Sequence, residues 1–330
     1  MVRHKAKIVV IGGSAGGVEA LTQVVAGLGP DFPAALFVTI HLPARSISRL
    51  PEILTNHGPL PASHPMNGGP IQNGHIYVAP PDHHLLVHQD HITLSTGPKE
   101  NRQRPAVNAL FRSAAIAYGP GVIGVILTGA LDDGSAGLWE IKQRGGKTIV
   151  QDPRDALFPD MPRNALEQVP IDYVRPVQGL ASLLNDLVGQ PVLSQDDRGE
   201  SMTKDFIRTD LTCPECRGPI SECRQGSITE FRCRVGHRYS PETFLATHAD
   251  TRERALCAAV VALEEGADVA RELAANAASD VQRRLEQEAG NNASAAAKIR
   301  ELLAVLTQEQ SSHLIKEVQD QTLKANRNDD

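Results

Sequence analysis

Residues 7–18 read Lys7-Ile8-Val9-Val10-Ile11-Gly12-Gly13-Ser14-Ala15-Gly16-Gly17-Val18. Four consecutive aliphatic residues, Ile8, Val9, Val10 and Ile11, all of them β-branched, predict a strand buried on both faces. The glycine-rich turn leads straight into a helical pattern, so the stretch is the opening of a parallel βα unit. The alternation continues down the first half of the chain. Strands are expected at Lys7–Ile11, Leu36–Ile40, Ile76–Ala79, Val122–Leu127 and Lys147–Val150, and helices at Val18–Leu28, Ile47–Asn56, Val107–Ala117 and Gly137–Arg144. His84 to Leu94 is expected to form two short strands around a turn. The fold class is α/β, a mostly parallel sheet covered by helices.

The 330 residues suffice for roughly two domains with a sizeable core. Residues 1–190 carry 15 basic and 15 acidic side chains, which leaves 18 and 24 for the rest, so the whole net charge of −6 belongs to the C-terminal part. That balance disfavours a nucleic-acid binder with a generally basic surface. No run of 18 apolar residues is present and the start of the chain enters a core-like strand, so no membrane insertion and a cytoplasmic location are expected. All five cysteines follow residue 212, an odd and lopsided set that suits a metal site better than a secreted disulfide framework.

The chemistry sits at the ends of three strands. Ser14 lies in a G-x-S-x-G turn, where a tight strand-to-helix passage presents a hydroxyl above the sheet and the helix N-terminus offers N–H groups to an oxyanion. A phosphate-binding loop is the competing reading, but a dinucleotide fingerprint would need Gly at position 14 and an acidic residue where the second strand ends at His41. The fourth strand runs into Thr128-Gly129-Ala130-Leu131-Asp132-Asp133-Gly134, a loop with two carboxylates. Hydroxyl, imidazole and carboxylate are the parts of a nucleophile, its base and the orienter of that base, provided these strands are neighbours. Pro80-Pro81-Asp82-His83-His84 reads as a rigid turn rather than a metal site, and Arg102 and Arg104 as a solvated pair.

Together, the Gly12–Gly17 loop, Val38-Thr39-Ile40-His41-Leu42, Tyr77-Val78-Ala79-Pro80-Pro81-Asp82-His83-His84, Ala109-Leu110-Phe111-Arg112-Ser113-Ala114-Ala115 and Leu127-Thr128-Gly129 leading to Asp132-Asp133-Gly134 resemble the catalytic domain of the CheB family of chemotaxis protein-glutamate methylesterases over about residues 5–190. The resemblance implies a doubly wound α/β fold with Ser14 as nucleophile, His41 as general base and Asp133, which directly precedes the glycine, as the orienting carboxylate. It implies hydrolysis of glutamyl methyl esters on a helical signalling protein such as a chemoreceptor, with release of methanol, and deamidation of receptor glutamines as a second reaction. No cofactor is needed for that step, and a methyltransferase or a separate response regulator are further partners of this kind of enzyme. The sequence departs from the family pattern in three places: the esterase pattern begins near residue 7, so that no receiver domain is expected ahead of it, Ala130-Leu131 replaces a Met-Gly pair, and Ala15 stands where Thr is common. A non-catalytic regulatory module on the same fold is the alternative.

Beyond residue 190 the reading is a linker at 191–207, a cysteine-bearing module at 208–244 and a helical arm at 245–330. Cys213-Pro214-Glu215-Cys216 and Cys233-Arg234-Val235-Gly236-His237 form two close pairs suited to tetrahedral Zn²⁺, with Cys223 as the alternative to His237. The module resembles the zinc-ribbon-like extension behind the esterase in receiver-less members of the family. Cys257 reads as a small packed residue. Leu256, Val260 and Leu263, and later Ile299, Leu302, Leu303 and Leu306, are spaced for helical faces, with Gly290-Asn291-Asn292 expected to break them into a hairpin.

Overall fold

The computed structural model describes residues 7–192 and 205–326, with side chains as far as 306. Most of the expected linker, 193–204, and the arm's last residues, 327–330, lie outside the described residues. Two compact units are present, 1–245 and 246–330.

In the first unit the chain runs through β1 (Ile8–Gly13), α1 (Gly17–Ala26), β2 (Ala35–Ile40), α2 (Leu50–His57), β3 (Ala62–Ser63), β4 (Ile76–Val78), β5 (His84–Val87), β6 (Ile92–Ser95), α3 (Val107–Tyr118), β7 (Val122–Ile126), α4 (Ser135–Gln143), β8 (Lys147–Gln151), α5 (Asp160–Gln168), β9 (Tyr173–Arg175) and α6 (Val177–Gly189). Seven strands make one sheet in the order β3-β4-β2-β1-β7-β8-β9, and every pairing in it is parallel. β5 and β6 form the separate antiparallel pair expected between His84 and Leu94.

Strand alternation divides the core into two layers. Val9 and Ile11 of β1, with Leu36, Val38 and Ile40 of β2, pack under α1, α2 and α6 through Leu21, Leu54 and Leu184. Ile8 and Val10 face the other way with Phe37, Val122 and Ile126, against Leu110 and Phe111 of α3, Leu138 of α4 and Met161 of α5. Helices therefore cover both faces. Each such aliphatic side chain contributes about 1.5–3 kcal/mol on burial, which is why β1 carries no polar side chain and β2 only Thr39. β2 lies on one side of β1 and β7 on the other, so the switch point of the topology falls at the carboxyl end of β1, where open α/β sheets bind their ligands.

The first unit continues through β10 (Ile207–Thr212), β11 (Pro219–Gln225), β12 (Ile228–Cys233) and β13 (Arg238–Tyr239), a four-stranded antiparallel sheet around Cys213, Ile220, Cys233, Tyr239 and Phe244. α7 (Pro241–Ala274) starts here and extends into the second unit, where α8 (Ser279–Asn326) turns back along it as a helical hairpin. The break lies at residues 275–278, not at the expected Gly290-Asn291-Asn292, which is inside α8. The reason is packing: Ala267 and Ala270 of α7 meet Ala289 of α8, and a Cβ added at Gly266 would lie 3.1 Å from Asn292 Nδ2, so small residues mark close helix contact rather than a turn. Cys257 is exposed on α7, contrary to its reading as a packed residue. Among the described residues no helix is long and apolar enough to cross a membrane.

Gly12 is required where it stands, because a Cβ there would come within 2.1 Å of Val107 Cγ1 at the start of α3. Gly12→Ala is expected to push α3 off β1 and to cost about 1–3 kcal/mol, read as a lowered midpoint in urea unfolding with an unchanged slope.

Candidate active site

Three strand ends meet at the switch point. Ser14 follows β1, where its N–H donates to Thr128 O at 3.0 Å and so ties the loop after β1 to the loop after β7. Gly16, at φ 72°, turns the chain into α1 in the left-handed region that a residue with a side chain resists. His41 follows β2 and its N–H donates to Gly13 O at 3.3 Å. Its Nδ1 lies 3.1 Å from Ser14 Oγ and its Nε2 lies 2.8 Å from Asp133 Oδ2. The ring thus uses its near nitrogen for the serine and its far nitrogen for the carboxylate. Topology explains the assignment: β1 stands between β2 and β7, so His41 must reach across about two strand spacings, roughly 9–10 Å, and only the outer end of the imidazole gets that far.

Asp133 is held by groups that sequence reading missed. Val107 N–H, at the first turn of α3, donates to Oδ2 at 2.7 Å, Asn108 N–H to Oδ1 at 3.3 Å, and Asn101 Nδ2 to Oδ1 at 3.4 Å. The carboxylate caps α3 from outside the helix, where orphan N–H groups and the helix dipole favour an anion. Asn108 returns the contact: its Oδ1 accepts from Gly134 N–H at 3.1 Å and Gly137 N–H at 2.7 Å and so caps α4. Two of these donors are backbone groups, which residue identity does not announce. Asn101, at φ 47°, is the exception, since Asn is among the residues that tolerate that conformation.

The neighbouring carboxylate faces elsewhere. Asp132 Oδ1 accepts from Ser240 Oγ at 2.7 Å and Thr243 Oγ1 at 3.1 Å, and Oδ2 has no hydrogen-bond partner among the described residues. Burial pushes its pKa up from 3.8 to about 6, against the pull of those two hydroxyls and helped by Asp133. Leu131 sits at φ 61°, where the resemblance would put glycine, and strain there costs about 1–2 kcal/mol. Asn164 Nδ2 holds that turn by donating to Leu131 O at 3.1 Å.

Other singled-out residues resolve plainly. His84 Nε2 donates to Pro98 O at 3.0 Å and its Nδ1 accepts from Ala106 N–H at 3.2 Å, while His83 bonds Pro81 O, so the adjacent histidines do not share a ligand. Arg104 is not solvated: its guanidinium donates to Asp82 Oδ1 and to the carbonyls of Thr96 and Gly97 at 2.7–2.9 Å.

Away from the serine, Cys213, Cys216, Cys233 and His237 put their ligand atoms within 4.8 Å of one another. Cys216 Sγ lies 3.6 Å from Cys233 Sγ, and His237 Nδ1 lies 3.7 Å from Cys213 Sγ and 3.5 Å from Cys233 Sγ. The edge of a tetrahedron with metal–sulfur distances of 2.3 Å is about 3.8 Å, so the donors fit a four-coordinate ion, and the cysteines are free thiols. His237 Nε2 is 3.3 Å from Glu215 Oε2, a carboxylate placed to fix the ring with Nδ1 inward. Cys223 is buried in β11 and stands outside the cluster.

The sequence pattern of the CheB methylesterase family matches residues 9–184. A Leptospira interrogans protein named as a protein-glutamate methylesterase/protein-glutamine glutaminase is 38% identical over 176 residues, 53% of this chain and 91% of that protein. A protein of the same name, numbered 1, from Xanthomonas campestris is 37% identical over 188 residues, 56% of this chain and 52% of that one. The crystal structure of the Thermotoga maritima CheB methylesterase catalytic domain superposes with a TM-score of 0.54 at 33% identity, covering 55% of this chain and 98% of that domain.

Asp132 generates a pH prediction. The unfolded chain releases this proton near 3.8 and the folded one near 6, so the folded state binds more protons between those values and its stability falls as pH rises through them. Asp132→Asn removes the ionised form and is expected to raise unfolding free energy by about 1–3 kcal/mol at pH 7.5, a gain that vanishes near pH 4 in urea titrations run at both.

Proposed function

Since the chain belongs to the CheB methylesterase family, we propose that it is a protein-glutamate methylesterase working through a Ser14-His41-Asp133 triad. The observation that carries the reading is the unbroken chain of hydrogen bonds, 3.1 Å from Ser14 to His41 and 2.8 Å from His41 to Asp133. Asp133 fixes the tautomer with hydrogen on Nε2, leaving the Nδ1 lone pair toward Ser14. Ser14 Oγ attacks the carbonyl carbon of a glutamyl methyl ester while His41 Nδ1 takes its proton. The proton then passes to the departing methoxide, methanol leaves, and water repeats the sequence on the acyl-serine.

Ser14 N–H is committed to Thr128 O, so the oxyanion donors are sought among the N–H groups that follow it, at Ala15 and Gly16 before α1. A glutamine side chain fits the same chemistry with ammonia as leaving group, which extends the proposal to deamidation. The substrate we infer is a methylated helical signalling protein of the chemoreceptor kind. Ser14 and His41 are partly exposed, and exposed Leu157 and Phe158 lie in the loop against Gly16 and Gly129, an apolar rim suited to a protein surface. For the Cys₃His cluster we propose Zn²⁺ held by Cys213, Cys216, Cys233 and His237, which when bound cross-links two loops of the small sheet and takes no part in the esterase step.

A fluorophosphonate probe is expected to label the protein on Ser14, and Ser14→Ala to abolish both labelling and methanol release from methylated protein. Asp133→Asn, which mispositions the tautomer, is expected to slow labelling by about 10⁴-fold. Labelling that persists in Ser14→Ala removes the triad from consideration. Metal analysis of purified protein is expected to find one equivalent of zinc, lost when Cys213 and Cys216 are both changed to Ser.

A further inference from the structure

The small sheet is joined to the loop that carries the triad carboxylate. Arg238 N–H donates to Lys99 O at 3.3 Å, and Asn101 N–H donates to Arg238 O at 2.8 Å, so β13 lies alongside residues 99–101. Arg238 also pairs with Glu100 and Glu230, and Glu100 pairs with Arg112 of α3. Ser240, the residue before α7, accepts from Thr243 N–H on its Oγ and donates that hydroxyl to Asp132. An apolar patch of Ile228 from β12, Trp139 from α4 and Val169 completes the contact.

Two contacts in this seam bear on Asp133. Asn101 Oδ1 accepts from Ser240 N–H at 2.9 Å, and Asn101 Nδ2 donates to Asp133 Oδ1 at 3.4 Å. One carboxamide therefore touches the small sheet with one end and the triad carboxylate with the other. The second contact is the pair of hydroxyls on Asp132, the residue directly before Asp133. Consecutive carboxylates are thus gripped by the same segment, one directly and one through Asn101. The grip has leverage because Oδ1 of Asp133 rests on two long hydrogen bonds, 3.3 Å from Asn108 and 3.4 Å from Asn101. With Asn101 gone, Oδ1 keeps only the 3.3 Å bond from Asn108, so rotation of the carboxylate about its Cβ–Cγ bond is resisted less and Oδ2 is held toward His41 less firmly.

The same segment is anchored in the Cys₃His cluster. Only Arg238 and Tyr239 separate His237 from Ser240, and Tyr239, 1% exposed, places its hydroxyl 3.2 Å from Cys213 Sγ. We propose that the small sheet is a positioning clamp on the triad, with Asn101 as its positioning residue, so that ligation at Cys213, Cys216, Cys233 and His237 sets the rate of a reaction in which the metal takes no part. This rests on the triad reading above.

The test uses the full chain and a fluorophosphonate probe, with maximal labelling rate and probe affinity measured separately. Asn101→Gly keeps the left-handed backbone and removes only the carboxamide. It is expected to lower the maximal rate by about 10- to 100-fold, the cost of a misplaced group near the reacting atoms, with probe affinity unchanged and the protein still folded at the assay temperature, its thermal midpoint lowered by the loss of the buried Ser240 contact. Trp139, the sole tryptophan, reports docking of the sheet by its emission. Stripping metal with a chelator is expected to slow the parent by a similar factor and shift that emission to the red, both reversed by one equivalent of Zn²⁺. In Asn101→Gly the emission shifts as before but the rate falls by a smaller factor than in the parent, because only the contact through Asp132 is left to cut. Ser240→Thr, which keeps the hydroxyl, should label like the parent, and Ser240→Ala should not. A parent that labels on Ser14 while Asn101→Gly labels equally fast overturns the clamp and leaves the triad standing, as does equal slowing of parent and variant by the chelator. A parent that fails to label at all overturns the triad reading instead.

Discussion

The site depends on a reciprocal exchange between two helix N-termini. Asp133, in the loop before α4, caps α3 by accepting from Val107 and Asn108 N–H, and Asn108, on α3, caps α4 by accepting from Gly134 and Gly137 N–H. Each helix start takes its capping group from the segment around the other, so neither can shift without exposing buried polar groups at a cost of about 1–3 kcal/mol apiece. The exchange leaves Asp133 Oδ2 shared between Val107 N–H and His41 Nε2. Orientation of the imidazole is in this way a consequence of how two helices are started.

The adjacent carboxylates show how local donors sort chemistry. Asp133 receives two backbone N–H groups and a carboxamide, donors that only an acceptor can satisfy. Asp132 receives two hydroxyls, which can donate or accept, and its buried second oxygen has no hydrogen-bond partner among the described residues, so burial dominates and lifts it to about 6. Composition offers no way to tell the two apart. The resemblance to a family pattern selected Asp133 by its place before Gly134, and the hydrogen bonds supply the physical reason for that place.

Much of the architecture is legible because it follows from burial. The β1, β2 and β7 runs are apolar on both faces but for Thr39, and the expected strands and helices in the first 150 residues appear within a few residues of their expected ends. The polar residues at those strand ends stand out against so apolar a background, which is why Ser14 and His41 were readable. β3 has two residues and β9 three, too short to leave a period, and the arm's turn was misplaced because Gly266 and Asn292 mark helix contact. Asn101 was illegible for a different reason: its role depends on β13 arriving from 137 residues further along the chain, and no local pattern encodes that meeting.

That meeting also bears on how strain is carried near the site. Asn101, Arg102 and Leu131 all adopt positive φ, in the loop beside the small sheet and the loop before Asp132. Such conformations cost about 1–3 kcal/mol each unless the surroundings impose them. Here they are imposed from several sides: Arg238 O takes the Asn101 N–H, Asn164 grips Leu131 O, and Ser240 and Thr243 hold Asp132. A loop fixed only by its own residues would relax toward negative φ and take Asp133 with it. The seam between the sheets holds a small cavity of about 20 Å³, lined by Asp132, Ser135, Arg112 and Ser240 and with room for about one water molecule. The hydrogen bonds that cross the seam carry displacement from one side to the other, through Asn101 between Ser240 N–H and Asp133 Oδ1, and on the proposed clamp that lets the edge of a small cysteine-bearing sheet govern the geometry of a carboxylate it does not touch.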